Sequence, residues 1–166
     1  METTAFGQGS YKNFTGYVYC GTLEGYAENA TFTIARKKQQ DGGMMFTMSW
    51  QSGSWTGTMC NAQWMSGDWL GGKFGGGVWY DGTWHDGLIV LSTWHRGVFK
   101  AGRMSGCSWH GGSFEGGRFF HSTWWYGGEW KAGDWFDSFY VHPNGQCTMG
   151  MNAEEWERFR KTIQEN

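Results

Sequence analysis

Large residues recur every five positions through most of this chain, and an odd period is hard to fit to a flat sheet. Trp64, Trp69, Phe74, Trp79, Trp84, Ile89, Trp94, Phe99, Met104, Trp109, Phe114, Phe119 and Trp124 follow in unbroken steps of five. After one extra residue the frame resumes at Trp125, Trp130, Trp135 and Tyr140. Trp55 and Cys60 extend it backwards, with one residue missing before Trp64. The residue two before each large one is small almost throughout, as at Gly67, Gly72, Gly82, Ser92, Gly97, Cys107, Gly128 and Ser138. The unit is small-x-large-x-x.

Along one straight strand, residues five apart point to opposite faces. The large residues can all reach one side only if the backbone bends once per unit. That describes a solenoid, with short straight edges, regular bends and coils stacked by strand pairing about 4.8 Å apart. Trp64, Trp69, Trp79, Trp84, Trp94, Phe99, Trp109, Phe114, Trp130 and Trp135 are the expected core ladder. Each would lie beside a small residue, so that the narrow interior keeps a constant volume.

The number of edges per coil is open at this level. A second periodicity of 15 groups Ile89, Met104 and Phe119 into one column, as a three-sided coil would. Against it, three aromatic centres per coil overfill a small triangle, so four sides are favoured. A hairpin sheet with aromatic stacking is the remaining alternative. MORN repeats also carry W-x-x-G pairs, but on a period of about 23 that is absent here.

The stretches CSWHG (107–111), STWWY (122–126) and GDWLG (67–71) resemble the pentapeptide-repeat proteins. The resemblance covers about residues 53–140 and implies a right-handed four-sided β-helix. The departure is systematic, with Trp usually in place of Leu or Phe and Gly in place of Ala. Those changes compensate in volume.

A solenoid exposes an unpaired edge at each end and needs caps. At the N-terminal end, FTGYVYC (14–20) reads as a strand. TFTIAR (31–36) and MMFTMSW (44–50), joined by KKQQDGG, read as a hairpin. At the other end HPNG (142–145) predicts a turn, followed by a helix. Asn152 and Glu155 form a capping-box pattern, Met151 and Trp156 sit at staple positions, and Trp156, Phe159 and Ile163 make an apolar stripe. The expectation is an all-β solenoid in one compact unit. It comprises a β cap over 1–50, the repeat over 51–141, and a turn with a capping helix over 142–166.

Chemistry is sparse. Residues 67–73 satisfy G-x4-G-K, but Phe74 stands where a P-loop needs Ser or Thr, and the match overlies two repeat units. His95 and His110 occupy equivalent positions 15 apart, too few for a metal site without further ligands. No nucleophile–base pair with recognisable spacing is present, so neither catalysis nor a cofactor is expected. Thirteen Lys and Arg against 15 Asp and Glu give no electrostatic case for nucleic acid or an acidic membrane. Outward charges between 64 and 140 number seven acids and six bases. Pentapeptide-repeat proteins that mimic DNA are strongly acidic, so the resemblance does not carry DNA mimicry over. No stretch approaches the roughly 18 apolar residues of a membrane span. The start METTAFGQGSYKNF lacks a basic region followed by an apolar run, which predicts cytoplasmic synthesis without a signal peptide. Cys20, Cys60, Cys107 and Cys147, with no C-x-x-C, then read as reduced thiols.

The functional clue is what faces out. With Ile89 inside, Leu88, Val90 and Leu91 are mostly outside, and around 119–126 so are Phe120, Tyr126 and one of Trp124 or Trp125, of which Trp125 is taken for the surface. Contiguous exposed apolar surface marks an interaction site. The first expectation is a non-enzymatic structural or docking protein that binds protein partners or itself. Its compact aromatic–Gly repeats resemble in style the accessory structural proteins of tailed bacteriophages, which makes the virion a candidate location. A second reading is a carbohydrate-binding module with Tyr80, Trp125 and Tyr126 as stacking platforms. A third is an inhibitor or mimic of a host protein.

Overall fold

In the computed structural model the chain winds into a parallel β-solenoid closed by one C-terminal helix. The structure describes residues 7–12, 15–18, 21–34, 48–149 and 151–164. Successive coils pair in register at an offset of 15: Trp64 faces Trp79, Trp79 faces Trp94, and Trp94 faces Trp109. The coil therefore has three sides of five residues, and the favoured four-sided coil is corrected. The first side carries Trp50, Trp64, Trp79, Trp94, Trp109, Trp125 and Tyr140. The second carries Trp55, Trp69, Trp84, Phe99, Phe114 and Trp130. The third carries Met59, Phe74, Ile89, Met104, Phe119 and Trp135.

Ring geometry explains why the triangle is not overfilled. Within a column the rings stack nearly parallel, at 4.9 Å for Trp64–Trp79 and 4.7 Å for Trp79–Trp94. Between columns they meet edge to face, as Trp79 and Trp84 do at 5.7 Å and 74°. Both are favoured quadrupole arrangements, each worth about 0.5–1.5 kcal/mol beyond burial. The third column softens the fit in the middle coils with Ile89 and Met104, yet three indoles fit together at Trp125, Trp130 and Trp135. All ten residues of the expected ladder are buried.

Two kinds of corner turn the chain. On two of them a glycine with φ between +95° and +121° stacks on its counterpart one coil away, in the columns Gly67-82-97-112-128 and Gly72-87-102-117-133. Glycine is there for its backbone, which corrects the expectation that it serves only as a small volume partner for tryptophan. The third corner uses a left-handed residue, at Asn61, Gly76, Leu91, Gly106 and Asp137, followed by a small inward one. There the small residue is the buried partner the repeat predicts: Ser92, Cys107, Thr123 and Ser138 are all buried. Their side chains donate back to the corner, Ser92 Oγ to the Val90 carbonyl at 2.7 Å and Ser138 Oγ to the Phe136 carbonyl at 3.1 Å. The extra residue of the repeat is absorbed at this corner, where both His121 and Ser122 are left-handed. The missing one falls earlier than the spacing suggests. Met59, not Cys60, is the buried centre that pairs with Phe74.

The parallel pairing continues back past residue 50. Strands β1 (Gly7–Lys12) and β2 (Thr15–Val18) pair parallel with β3 (Gly21–Ile34), which pairs parallel with β4 (Met48–Cys60). The expected hairpin between 31–36 and 44–50 is therefore corrected: Met48–Trp50 pairs with Gly21–Leu23, in the same direction. The connecting KKQQDGG lies outside the described residues. At the other end Phe139–Val141 and Cys147–Met149 form an antiparallel pair around the HPNG turn, and α1 (Ala153–Gln164) follows. The capping box is formed, with the Glu155 N–H donating to Asn152 Oδ1 and the Asn152 N–H to Glu155 Oε2, both at 2.9 Å. No helix among the described residues is long and apolar enough to cross a membrane.

Candidate interaction surface

Outward side chains form vertical columns because each coil repeats the one below it. On the first side Tyr80, His95, His110 and Tyr126 make one stacked ladder, with centroids 5.1, 5.6 and 4.6 Å apart. The sequence missed this ladder as a unit, although the 15-residue spacing of the two histidines signalled it. His95 and His110 are each stacked on both faces, while Tyr80 and Tyr126 end the ladder with a ring on one face only. Among the described residues no three ligand-type side chains cluster around the two imidazoles.

Burial and the charge of His95 hold the His110 imidazole below its ordinary pKa of 6.5, burial being the larger cause. A lowered pKa means that the fold favours neutral His110. Above about pH 6.5 nothing is lost, while below it the unfolded chain takes up the proton more readily and stability falls. The melting temperature is expected to drop between pH 6.5 and the lowered native value. His110→Phe, which keeps a ring in the stack, should flatten that drop when melts are compared from pH 8 to pH 5.

The third side is different in kind. Leu88 and Val90 are half-buried, and Leu91 on the adjoining corner is 75% exposed. Two coils on, Phe120 is half-buried, and Phe136 one coil further is 59% exposed. Leu91 is the one large apolar residue among the left-handed positions of its corner. It holds φ +48°, where the equivalent positions carry Asn61, Gly76, Gly106, Asp137 and the pair His121 and Ser122. The Leu91 side chain lies over Gly106 of the next coil, but three-quarters of it stays in solvent, little return for a leucine held at positive φ. Near Phe120 and Phe136 lies a cavity of about 400 Å³, which also reaches Arg118, His121, Asp134 and Ala153 at the start of α1.

Other expected surface residues divide. Tyr126 is 45% exposed, whereas Trp125 is buried at 2% and stacks on Trp109 at 5.1 Å. Trp125 is thus corrected from surface to core, because the inserted residue shifts the frame and leaves half-buried Trp124 facing out, stacked on Phe139 at 4.3 Å. The P-loop-like run lies mostly in the strand Asp68–Gly75, with none of the loop-to-helix geometry that phosphate binding needs. Charged side chains pair between coils, Arg96 with Asp81 and Lys131 with Glu115 at 2.9 Å each, exposed pairs that solvent and salt screen.

Cys60, Cys107 and Cys147 are free thiols. Burial pushes the Cys107 thiol up to about 12, and its Sγ lies 3.3 Å from the Ser105 carbonyl. Native protein treated with an aromatic disulfide at pH 8 should therefore be modified at Cys147 and spared at Cys107, with both modified after denaturation. Peptide mass mapping reads this directly, and rapid native labelling of Cys107 would contradict its place inside the third corner.

No known protein family matches the chain, and neither a curated protein nor a solved structure is similar to it.

Proposed function

We propose that this chain is a non-enzymatic structural or docking protein, which joins a larger assembly through the third side of its solenoid. The observation that carries the reading is Leu91, strained and three-quarters exposed, beside the outward apolar residues of the same side. Such a group costs solubility without stabilising the interior. The solenoid supports it well, since a stack of paired coils presents side chains at fixed spacing and little conformational freedom has to be given up on binding. The five-residue edge and the inward Ser92, Cys107 and Ser138 support kinship with the pentapeptide-repeat solenoids, while the 15-residue coil departs from their four sides. The resemblance in style to phage accessory proteins makes a virion the assembly of choice.

The test compares the full chain with a Leu91→Asp, Phe136→Ser double variant in cross-linking pull-downs and sedimentation. Wild type should engage a partner that the variant loses at an unchanged melting temperature. Identical binding profiles for the two would sink the reading.

A further inference from the structure

The third side is a ladder of six rungs, because the registers fix which residues lie one above another. In order along the axis the outward pairs are Thr58/Cys60, Lys73/Gly75, Leu88/Val90, Arg103/Ser105, Arg118/Phe120 and Asp134/Phe136. The adjoining corner runs Asn61, Gly76, Leu91, Gly106, His121 and Asp137. Reversing the last five rungs about Arg103/Ser105 sets Lys73 against Asp134, Gly75 against Phe136, Leu88 against the Arg118 stem, Val90 against Phe120, and Leu91 against His121 beside the cavity of about 400 Å³. Thr58/Cys60 lies beyond that contact, and the Arg103 rung meets itself through Ser105 and Gly106, both small.

We propose that the third side docks a second copy of this chain, with the two solenoids antiparallel and a two-fold axis at the Ser105 rung. The proposal rests on the docking reading and names its partner. A two-fold contact is self-complementary by necessity, and this face meets that condition in three ways: knob against cavity, charge against opposite charge, and small against small. Leu91 of each copy enters the cavity bounded by Phe120 and Phe136 of the other, which puts the strained corner to use. A parallel arrangement would instead set Lys73 against Gly75 and Asp134 against Phe136, so that Lys73 loses its acidic partner. The antiparallel register has one opposed like-charge contact, Arg103 with its own copy. Arg103 is exposed and can turn to solvent, so Arg103→Ser should tighten the dimer.

Sedimentation velocity of the full chain from low to high micromolar should reveal a reversible dimer. Leu91→Asp should weaken it by about tenfold or more, as expected for a buried apolar anchor. Loss of fold cannot mimic that result, because Asp enters the left-handed region more easily than Leu, and the melting temperature checks it. Ser105→Cys should give a disulfide-linked dimer on mild oxidation, while Ser113→Cys on the second side should give no more than the wild-type background from half-buried Cys60 and exposed Cys147. A wild type that stays monomeric, or a dimer cross-linked by Ser113→Cys and not by Ser105→Cys, overturns the proposal. A monomer that still loses a different partner on Leu91→Asp would remove the second copy and leave docking standing. Loss of neither dimer nor partner would remove both.

Discussion

Gly97→Ala is expected to abolish cooperative folding, or to cost at least about 3 kcal/mol, although it adds a single methyl group. Gly97 has φ +114°, outside the region that side-chain-bearing residues adopt with ease. A Cβ there would drive into the Gly82 carbonyl oxygen and lie 3.0 Å from the Gly82 nitrogen. Neither atom can yield freely. The Gly82 carbonyl accepts from the Val98 N–H at 2.9 Å, and the Gly97 carbonyl accepts from Ser113 in the next coil at the same distance. Backbone strain alone accounts for about 1–3 kcal/mol, and the clash adds to it, against a total stability of about 5–15 kcal/mol for a domain. Gly71→Ala is the control: its φ is not positive, and nothing lies within 4 Å of the added carbon. It should stay within about 0.5 kcal/mol of wild type. Denaturant unfolding of the two variants separates backbone geometry from composition, and equal midpoints would mean that the glycine corners are not formed as described.

That contrast also marks what the sequence discloses. The five-residue period leads to the solenoid because an odd repeat requires one bend per unit, and every ladder residue from Trp64 to Trp135 does lie inside. Sides per coil were harder to read. The 15-residue column of Ile89, Met104 and Phe119 carries the three-sided signal, and summed volume opposes it. Volume ignores orientation, and rings that stack along one axis while meeting edge to face across it need less width than their size implies. Glycine was ambiguous for a related reason: at Gly97 its value is φ, at Gly77 it is size, and one letter serves both. The inserted residue near 122 displaces the frame at Trp124 and Trp125, so the sequence alone leaves open which of the two indoles lies inside. The interaction surface was half legible. Leu88, Val90 and Leu91 stood out as a break in polarity, but Phe136 and the cavity beside α1 depend on where the helix comes to rest.

The helix's resting place leads to the second large effect. Trp156→Ala is expected to cost about 3–5 kcal/mol, the range for deleting a buried aromatic side chain. Trp156 is 1% exposed and stacks on Trp135 with centroids 3.9 Å apart and planes 12° from parallel. It also meets Trp130 edge to face at 5.3 Å and Trp125 at 6.3 Å. One indole thus touches all three centres of the last full coil and closes the open end of the column. Asn152→Ala separates this plug from the helix that carries it. Losing the capping box should cost about 1 kcal/mol, since the Trp156 contacts can persist with a frayed first turn. A plug predicts that Trp156→Ala is severalfold worse than Asn152→Ala, loses near-ultraviolet dichroism from the indole stack, and associates end to end through the bared coil. If the two variants unfold at the same denaturant concentration, α1 matters as a helix and not as a stopper. A C-terminus that merely lay along the wall would give that result, because bare Trp125, Trp130 and Trp135 would then already be tolerated in wild type.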